Sequence, residues 1–179
     1  MPEVSLVNEF DAKIESEVWE LLCACDTEFV PPLSARDSPL SSNLLGEIPG
    51  VVPTSYFQEL KKQELLIATH GGSVVGFLSF RVRYCNDLLR DWCPSNHVTT
   101  ICVSREFRGQ GIAFRLYQFL SHRLPDQLQN PFISTRTWST NKKHLKILKR
   151  LGFNLVTVVK DDRGDGIDTC YFAKRPDKR

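Results

Sequence analysis

The stretch that decides the reading is NHVTTICVSREFRGQGIAFRLYQFL, Asn96–Leu120. Its opening segment, Asn96–Val103, is rich in β-branched side chains and predicts a strand. Its closing segment places Ile112, Leu116, Phe119 and Leu120 at spacings of three and four, which predicts a helix with one apolar face. Between them lies Arg108-Gly109-Gln110-Gly111. The two glycines let the backbone bend and leave its N–H groups uncovered by side chains. The N-terminus of the helix that follows favours negative charge, and Arg108 adds a cation beside it. Strand, glycine loop and helix in this order describe a seat for a phosphate-bearing ligand. It is neither a Walker loop, since no Lys-Ser/Thr follows Gly111, nor GxGxxG, since Ile112, Ala113 and Phe114 follow.

Working towards the N-terminus, TSYFQELKKQE predicts a short helix with Thr54 as a candidate cap. LLIATHGGSVVGFLSFRVRY predicts two strands joined by a His-Gly-Gly turn. Further back, EVSLVNEF is a candidate strand, and AKIESEVWELLCAC places Ile14, Val18, Leu21, Leu22 and Cys25 on one helical face. From about residue 30 to 53 the chain carries Pro31, Pro32, Pro39, Pro49 and Pro53 among several serines, which predicts a long loop with short helical turns. Working towards the C-terminus, PFISTRTWS predicts a strand and TNKKHLKILKRLG a helix closed by Gly152. FNLVTVVKD and IDTCYFAKR predict strands paired around DRGDG. The order implies an α+β fold in which helices flank a mixed, mostly antiparallel sheet, as a single domain over 1–179.

With 179 residues, 41% hydrophobic and 25% charged, the chain has the composition of a globular domain with a sizeable core. The net charge of +2 comes with scattered basic residues, so nothing points to nucleic acid or a membrane surface. The N-terminal segment lacks a basic stretch followed by an apolar run, and no eighteen apolar residues occur together. The six cysteines (Cys23, Cys25, Cys85, Cys93, Cys102, Cys170) form no CxxC pair or His/Cys ligand spacing. The reading is therefore free thiols in a reducing cytoplasm, with no metal. Homodimer formation is left open.

The loop resembles the acetyl-coenzyme A loop of the GNAT superfamily of N-acetyltransferases, whose Arg/Gln-x-x-Gly-x-Gly/Ala pattern is met by Arg108, Gly111 and Ala113. TNKKHLKILKRLGF resembles a second segment of that superfamily. The resemblance covers roughly Phe57 to Arg175. It implies a sheet opened by the co-substrate acetyl-CoA between the fourth and fifth strands. The backbone of Ile101, Cys102 and Val103 would align the pantetheine arm, Arg108, Gly109, Gln110, Gly111, Ile112 and Ala113 would hold the pyrophosphate, and Asn141 would face the arm. The implied reaction is direct acetyl transfer to the primary amine of a small molecule. A non-catalytic acyl-CoA-binding regulatory module and a protein or peptide N-acetyltransferase are the alternatives.

HVTTICVSREFRGQG is similar to the corresponding stretch of the arylalkylamine acetyltransferases, where histidines occupy the positions of His97 and Thr99. His97 is thereby the expected general base, or the holder of a water that serves as one, and an unperturbed imidazole suits that task near neutrality. The superfamily's usual acid is a tyrosine four residues before the Leu-Gly-Phe glycine, and Leu148 stands there. Tyr117, Tyr171 or water are the substitutes to consider, with His144 as a second polar group. The Pro/Ser-rich loop is expected to wall the acceptor, with Arg36 or Asp37 able to select a charged one.

Overall fold

A computed structural model describes residues 1–37 and 51–177. Residues 38–50 of the Pro/Ser-rich loop lie outside the described residues, as do the side chains of Arg36 and Asp37. The loop's first part does contain short helical turns, at Asp26–Glu28 and Ser34–Asp37.

Seven strands form one sheet: β1 (Glu3–Leu6), β2 (Glu64–His70), β3 (Ser73–Tyr84), β4 (Ser95–Val103), β5 (Phe132–Trp138), β6 (Asn154–Val159) and β7 (Thr169–Lys174). Their order across the sheet is β1-β2-β3-β4-β5-β7-β6. Every neighbouring pair is antiparallel except β4 and β5, which run parallel. A parallel pair needs a crossover, and helix α3 (Ile112–His122) supplies it. The sheet is therefore mixed and mostly antiparallel, as the order of elements implied.

One face of the sheet carries α1 (Ala12–Cys25) and α2 (Thr54–Leu60). Asp11 caps α1 by accepting the Ile14 N–H at 2.8 Å. Val18, Leu21, Leu22 and Cys25 then pack with Phe57 and Leu60 against Leu65, Ile67, Phe77 and Cys102 of the strands. Thr54 is not the cap expected of it. Pro53 takes that position, because the Thr54 N–H already bonds Val52 O at 2.8 Å and turns the chain a residue earlier. The opposite face carries the larger core, where Ile112, Leu116, Tyr117 and Leu120 of α3 and Leu148 of α4 (Lys142–Arg150) cover Leu66, Leu78, Phe80, Val98 and Ile133. Gly152 follows α4, as the sequence implied, with its N–H on Lys149 O and the Phe153 N–H on Leu148 O.

Two departures from regular pairing shape the molecule. In β4, Val98 opposes Phe80 while Thr100 opposes Ser79, so Thr99 is an extra, bulged residue that bends the strand. The β4–β5 ladder runs only from Ser95↔Phe132 to Val98↔Thr135. Beyond it the two strands continue, to Val103 and Trp138, without pairing to each other.

The cysteines require a correction. Cys85 and Cys93 form a disulfide across the connection from β3 to β4, with Cα atoms 5.1 Å apart, and are not free thiols. A turn of the chain between them brings them together, and a spacing of eight gives no sign of it. Cys23, Cys25, Cys102 and Cys170 are free. Among the described residues no helix is long and apolar enough to cross a membrane.

Candidate active site

Where β4 and β5 part, a cleft of about 780 Å³ opens. It reaches from the α3 and α4 side, past the parted strands, to Phe29, Thr99, Thr100, Arg136 and Trp138 on the α1 and α2 side. The cleft therefore has two ends that meet at the last paired residues, Val98 and Thr135.

At the α3 end the wall combines the run from Ile101 to Ala113 with side chains of α4. Val103 leads into a single helical turn, Arg105–Phe107, and then to Gly109 and Gly111, both in the left-handed region at φ +79° and +77°. Such angles are costly for any residue with a Cβ. No protein atom lies within 4 Å of where a Cβ on either glycine would stand, so the loop faces open space. Gly111 is the residue that starts α3, whose first N–H groups have no intrahelical acceptor by helix geometry. Ile101, Cys102, Val103, Arg108, Gly109, Gly111, Ile112, Ala113 and Asn141 line the cleft. Gln110 does not: its side-chain amide turns away and donates to Glu106 O at 3.3 Å.

The Arg108 guanidinium is anchored rather than loose. Nε donates to Val103 O at 3.0 Å, Nη1 pairs with Glu28 Oε2 at 2.9 Å, and Nη2 reaches Cys25 Sγ at 3.7 Å. Burial pushes the Glu28 carboxyl up, but Arg108 and Arg105 outweigh it and hold it below its ordinary value. Glu28 lies eighty residues upstream, and no spacing or motif announces that it fixes this arginine. Asn141 is the cap of α4: Oδ1 accepts the His144 N–H and Nδ2 donates to Thr137 Oγ1, both at 3.2 Å.

Leu148, at the usual place of the acid, is fully buried in the α3 core. One turn earlier His144 lines the cleft, and its Nε2 lies 2.9 Å from Tyr117 Oη, so the structure joins two of the substitutes. Burial lowers the His144 pKa to about 4 and raises that of Tyr117 well above its ordinary value, a hydrogen bond with Thr135 opposing the latter. Both groups are neutral over the ordinary pH range. Thr135 is the last β5 residue paired with β4, so the phenol stands at the point of parting. Tyr171 is elsewhere, on the α1 and α2 side, where it accepts from Arg136 Nη1 at 3.4 Å.

At the α1 and α2 end polar side chains gather around the parted strands. Tyr56 of α2 bonds Thr100 Oγ1 at 2.7 Å, and the bulged Thr99 hydroxyl meets Ser79 Oγ at 2.8 Å and Gln63 Oε1 at 2.5 Å. His97 is 3% exposed and is not part of the cleft wall. Its Nδ1 lies 2.8 Å from Ser134 Oγ, and its ring stacks on Tyr84 at 4.2 Å. Burial first, then Arg136 and Arg81, push its pKa down to about 3. An imidazole this reluctant to hold a proton, with its ring sealed between neighbours, does not have the geometry expected of a general base.

Residues 32–153, well over half of the chain, match the acetyltransferase (GNAT) family. The chain belongs to that family. Its fold is that of a GNAT-family acetyltransferase from Bacillus cereus, with a TM-score of 0.65 at 15% identity over 99% of both chains. yncA from Salmonella typhimurium, solved with its cofactor acetyl-CoA, is similar with a TM-score of 0.64 at 13% identity, over 99% of this chain and 95% of that one. A chain in the NatC complex bound to Gag peptide and CoA is similar with a TM-score of 0.65 at 13% identity, over 97% of this chain and 98% of that one. No curated protein sequence matches the chain.

Proposed function

We propose that this N-acetyltransferase moves the acetyl group of acetyl-CoA directly to the primary amine of a small molecule. The observation that carries the reading is the parted β4–β5 pair, which joins a phosphate-favouring end of one cleft to a polar end. The residues suit a coenzyme A group. The N–H groups of Gly109 to Ala113 and the start of α3 suit a diphosphate, with Arg108 beside them, and the free edge of Ile101, Cys102 and Val103 suits the amide-bearing arm. The thioester supplies an activated acyl carbon.

The chain's part in the reaction is to bring amine and acyl carbon together and to manage two protons. As the C–N bond forms and the C–S bond breaks, the amine loses a proton and the departing sulfur gains one. Tyr117 and His144 form the pair we assign to the sulfur side. With the phenol donating to Nε2, the neutral imidazole keeps its proton on Nδ1. It can then act as a hydrogen-bond donor towards the cleft and stabilise charge developing on sulfur. On the amine side we assign His97 a positioning role: neutral and buried, it fixes Ser134 and Tyr84 behind the acceptor wall. Water in the cleft takes the amine proton. A peptide acceptor is the second reading, supported by the likeness to the NatC chain.

The test combines calorimetric titration with coenzyme A and release of free thiol from acetyl-CoA across a panel of small amines and a peptide with a free N-terminus. Binding with turnover of small amines is the expected result. Turnover of the peptide alone would replace the acceptor class, and binding without any turnover would favour the regulatory module.

A further inference from the structure

Arg136 lines the cleft from β5, an interior strand flanked by β4 and β7. Its neighbours Thr135 and Thr137 and the opposing Tyr171 are buried, whereas its own side chain is exposed to the cleft. Among the described residues no carboxylate forms an ion pair with Arg136. Glu28, the nearest acid of the cleft, is held by Arg105 and Arg108 at the other end. The one side-chain hydrogen bond of Arg136 is a long one, to the neutral Tyr171 phenol. Arg136 thus offers this end of the cleft a guanidinium with no carboxylate partner among the described residues, and its charge opposes protonation of the nearby His97 ring.

We infer that the acceptor carries a carboxylate close to its amine, and that the Arg136 guanidinium receives it. The inference rests on the acetyltransferase reading. A guanidinium offers two parallel N–H donors that match the two oxygens of a carboxylate, so an unpaired one on a cleft wall is selective for that group. Arg136 lies one residue beyond Thr135, about 3.3 Å along the strand from the point of parting, so its side chain is anchored beside the junction of the two ends, which favours a carboxylate close to the amine. The aromatic rings of Trp138 and Phe29, 5.9 Å apart, wall the same end.

The experiment measures binding of conjugates in which the sulfur of coenzyme A is joined through an acetyl linker to the amine of glycine or β-alanine, each paired with its neutral amide. In the wild-type protein the better acid conjugate is expected to bind at least about tenfold more tightly than its amide, and Arg136→Gln is expected to bring that ratio close to one. A melting curve reports whether the variant is folded; if it is not, the wild-type ratio decides alone. Equal affinity for acid and amide in the wild-type protein overturns the inference while leaving the acetyltransferase reading intact. A ratio that survives Arg136→Gln in a folded variant overturns the assignment to Arg136. A matching phosphate ester, the conjugate of phosphoethanolamine, binding more tightly than either acid overturns the choice of carboxylate. Failure of coenzyme A itself to bind removes both readings together.

Discussion

At its α3 end the cleft is lined chiefly by one continuous run, Ile101 to Ala113, with α4 beside it, whereas at its acceptor end it is lined by residues from separate elements, β4, β5 and the turn that follows α1. The two ends obey different physics. Backbone amides at a helix start are fixed by the local fold, so a few glycines suffice to specify them. The acceptor wall exists only where Phe29, Thr99, Thr100, Arg136 and Trp138 are carried together by the fold. An acetyltransferase can therefore keep its donor seat while its acceptor wall varies.

The largest effect should come from breaking the α3 end. Gly111→Val forces a β-branched residue to φ +77° and places its side chain in the open space before the loop. Affinity for coenzyme A, read by calorimetry on protein shown to be folded by circular dichroism, should fall at least about a hundredfold. Undiminished affinity would falsify the assignment of the loop.

Next is the junction of the two ends. Tyr117→Phe removes the hydroxyl shared with His144 and should lower kcat by about ten- to a hundredfold with KM for acetyl-CoA little changed. Since burial holds the Tyr117 phenol protonated, its pKa raised above the ordinary value, and His144 is neutral above about pH 4, neither should contribute an ionisation between pH 6 and 9 in the wild-type profile. A shift of such an ionisation in Tyr117→Phe would contradict the neutral pair.

Arg108→Ala should be milder, costing about 1–2 kcal/mol of cofactor affinity, because the amides remain and the guanidinium is already shared with Glu28. The loss should shrink as salt is raised. Loss of turnover at unchanged affinity would move Arg108 out of the donor seat.

The smallest effect on catalysis is expected at His97. His97→Gln should retain turnover within a few-fold and leave the pH profile of kcat/KM unmoved, whereas a general base would show losses of about a hundredfold or more. Its signature lies in stability instead. The folded pKa of about 3 lies below the ordinary 6.5, so between those values the unfolded chain binds more protons and the native state loses stability as the pH falls. Melting temperatures measured from pH 7 down to 4 should decline, and His97→Gln should flatten part of that decline. His144, with its pKa of about 4, contributes in the same direction and accounts for the part that remains.

Much of this molecule is readable from local chemistry. The α1 face, the His-Gly-Gly hairpin, the Gly152 termination and the order of strands follow from periodicity and turn residues, which act over a few neighbours. The resemblance carried by Arg108, Gly111 and Ala113 extended that reading to the acetyltransferase family. What escaped it are relations between distant residues: the Cys85–Cys93 bond, the hold of Glu28 on Arg108, and the meeting of Tyr117 with His144. No spacing in the chain announces them.

His97 shows where the division falls. By itself the sequence determined that a strand delivers a histidine eleven residues before Arg108, and that a glycine loop opens the following helix, because strand alternation and left-handed glycines are local properties of the chain. Only the tertiary structure decided that Ser134 and Tyr84 close over that ring, that burial and two arginines hold it neutral, and that Arg136 stands on the cleft wall without a carboxylate partner among the described residues. Desolvation and charge pairing depend on which residues a neighbouring strand or helix brings alongside, and that is set by packing rather than by position along the chain.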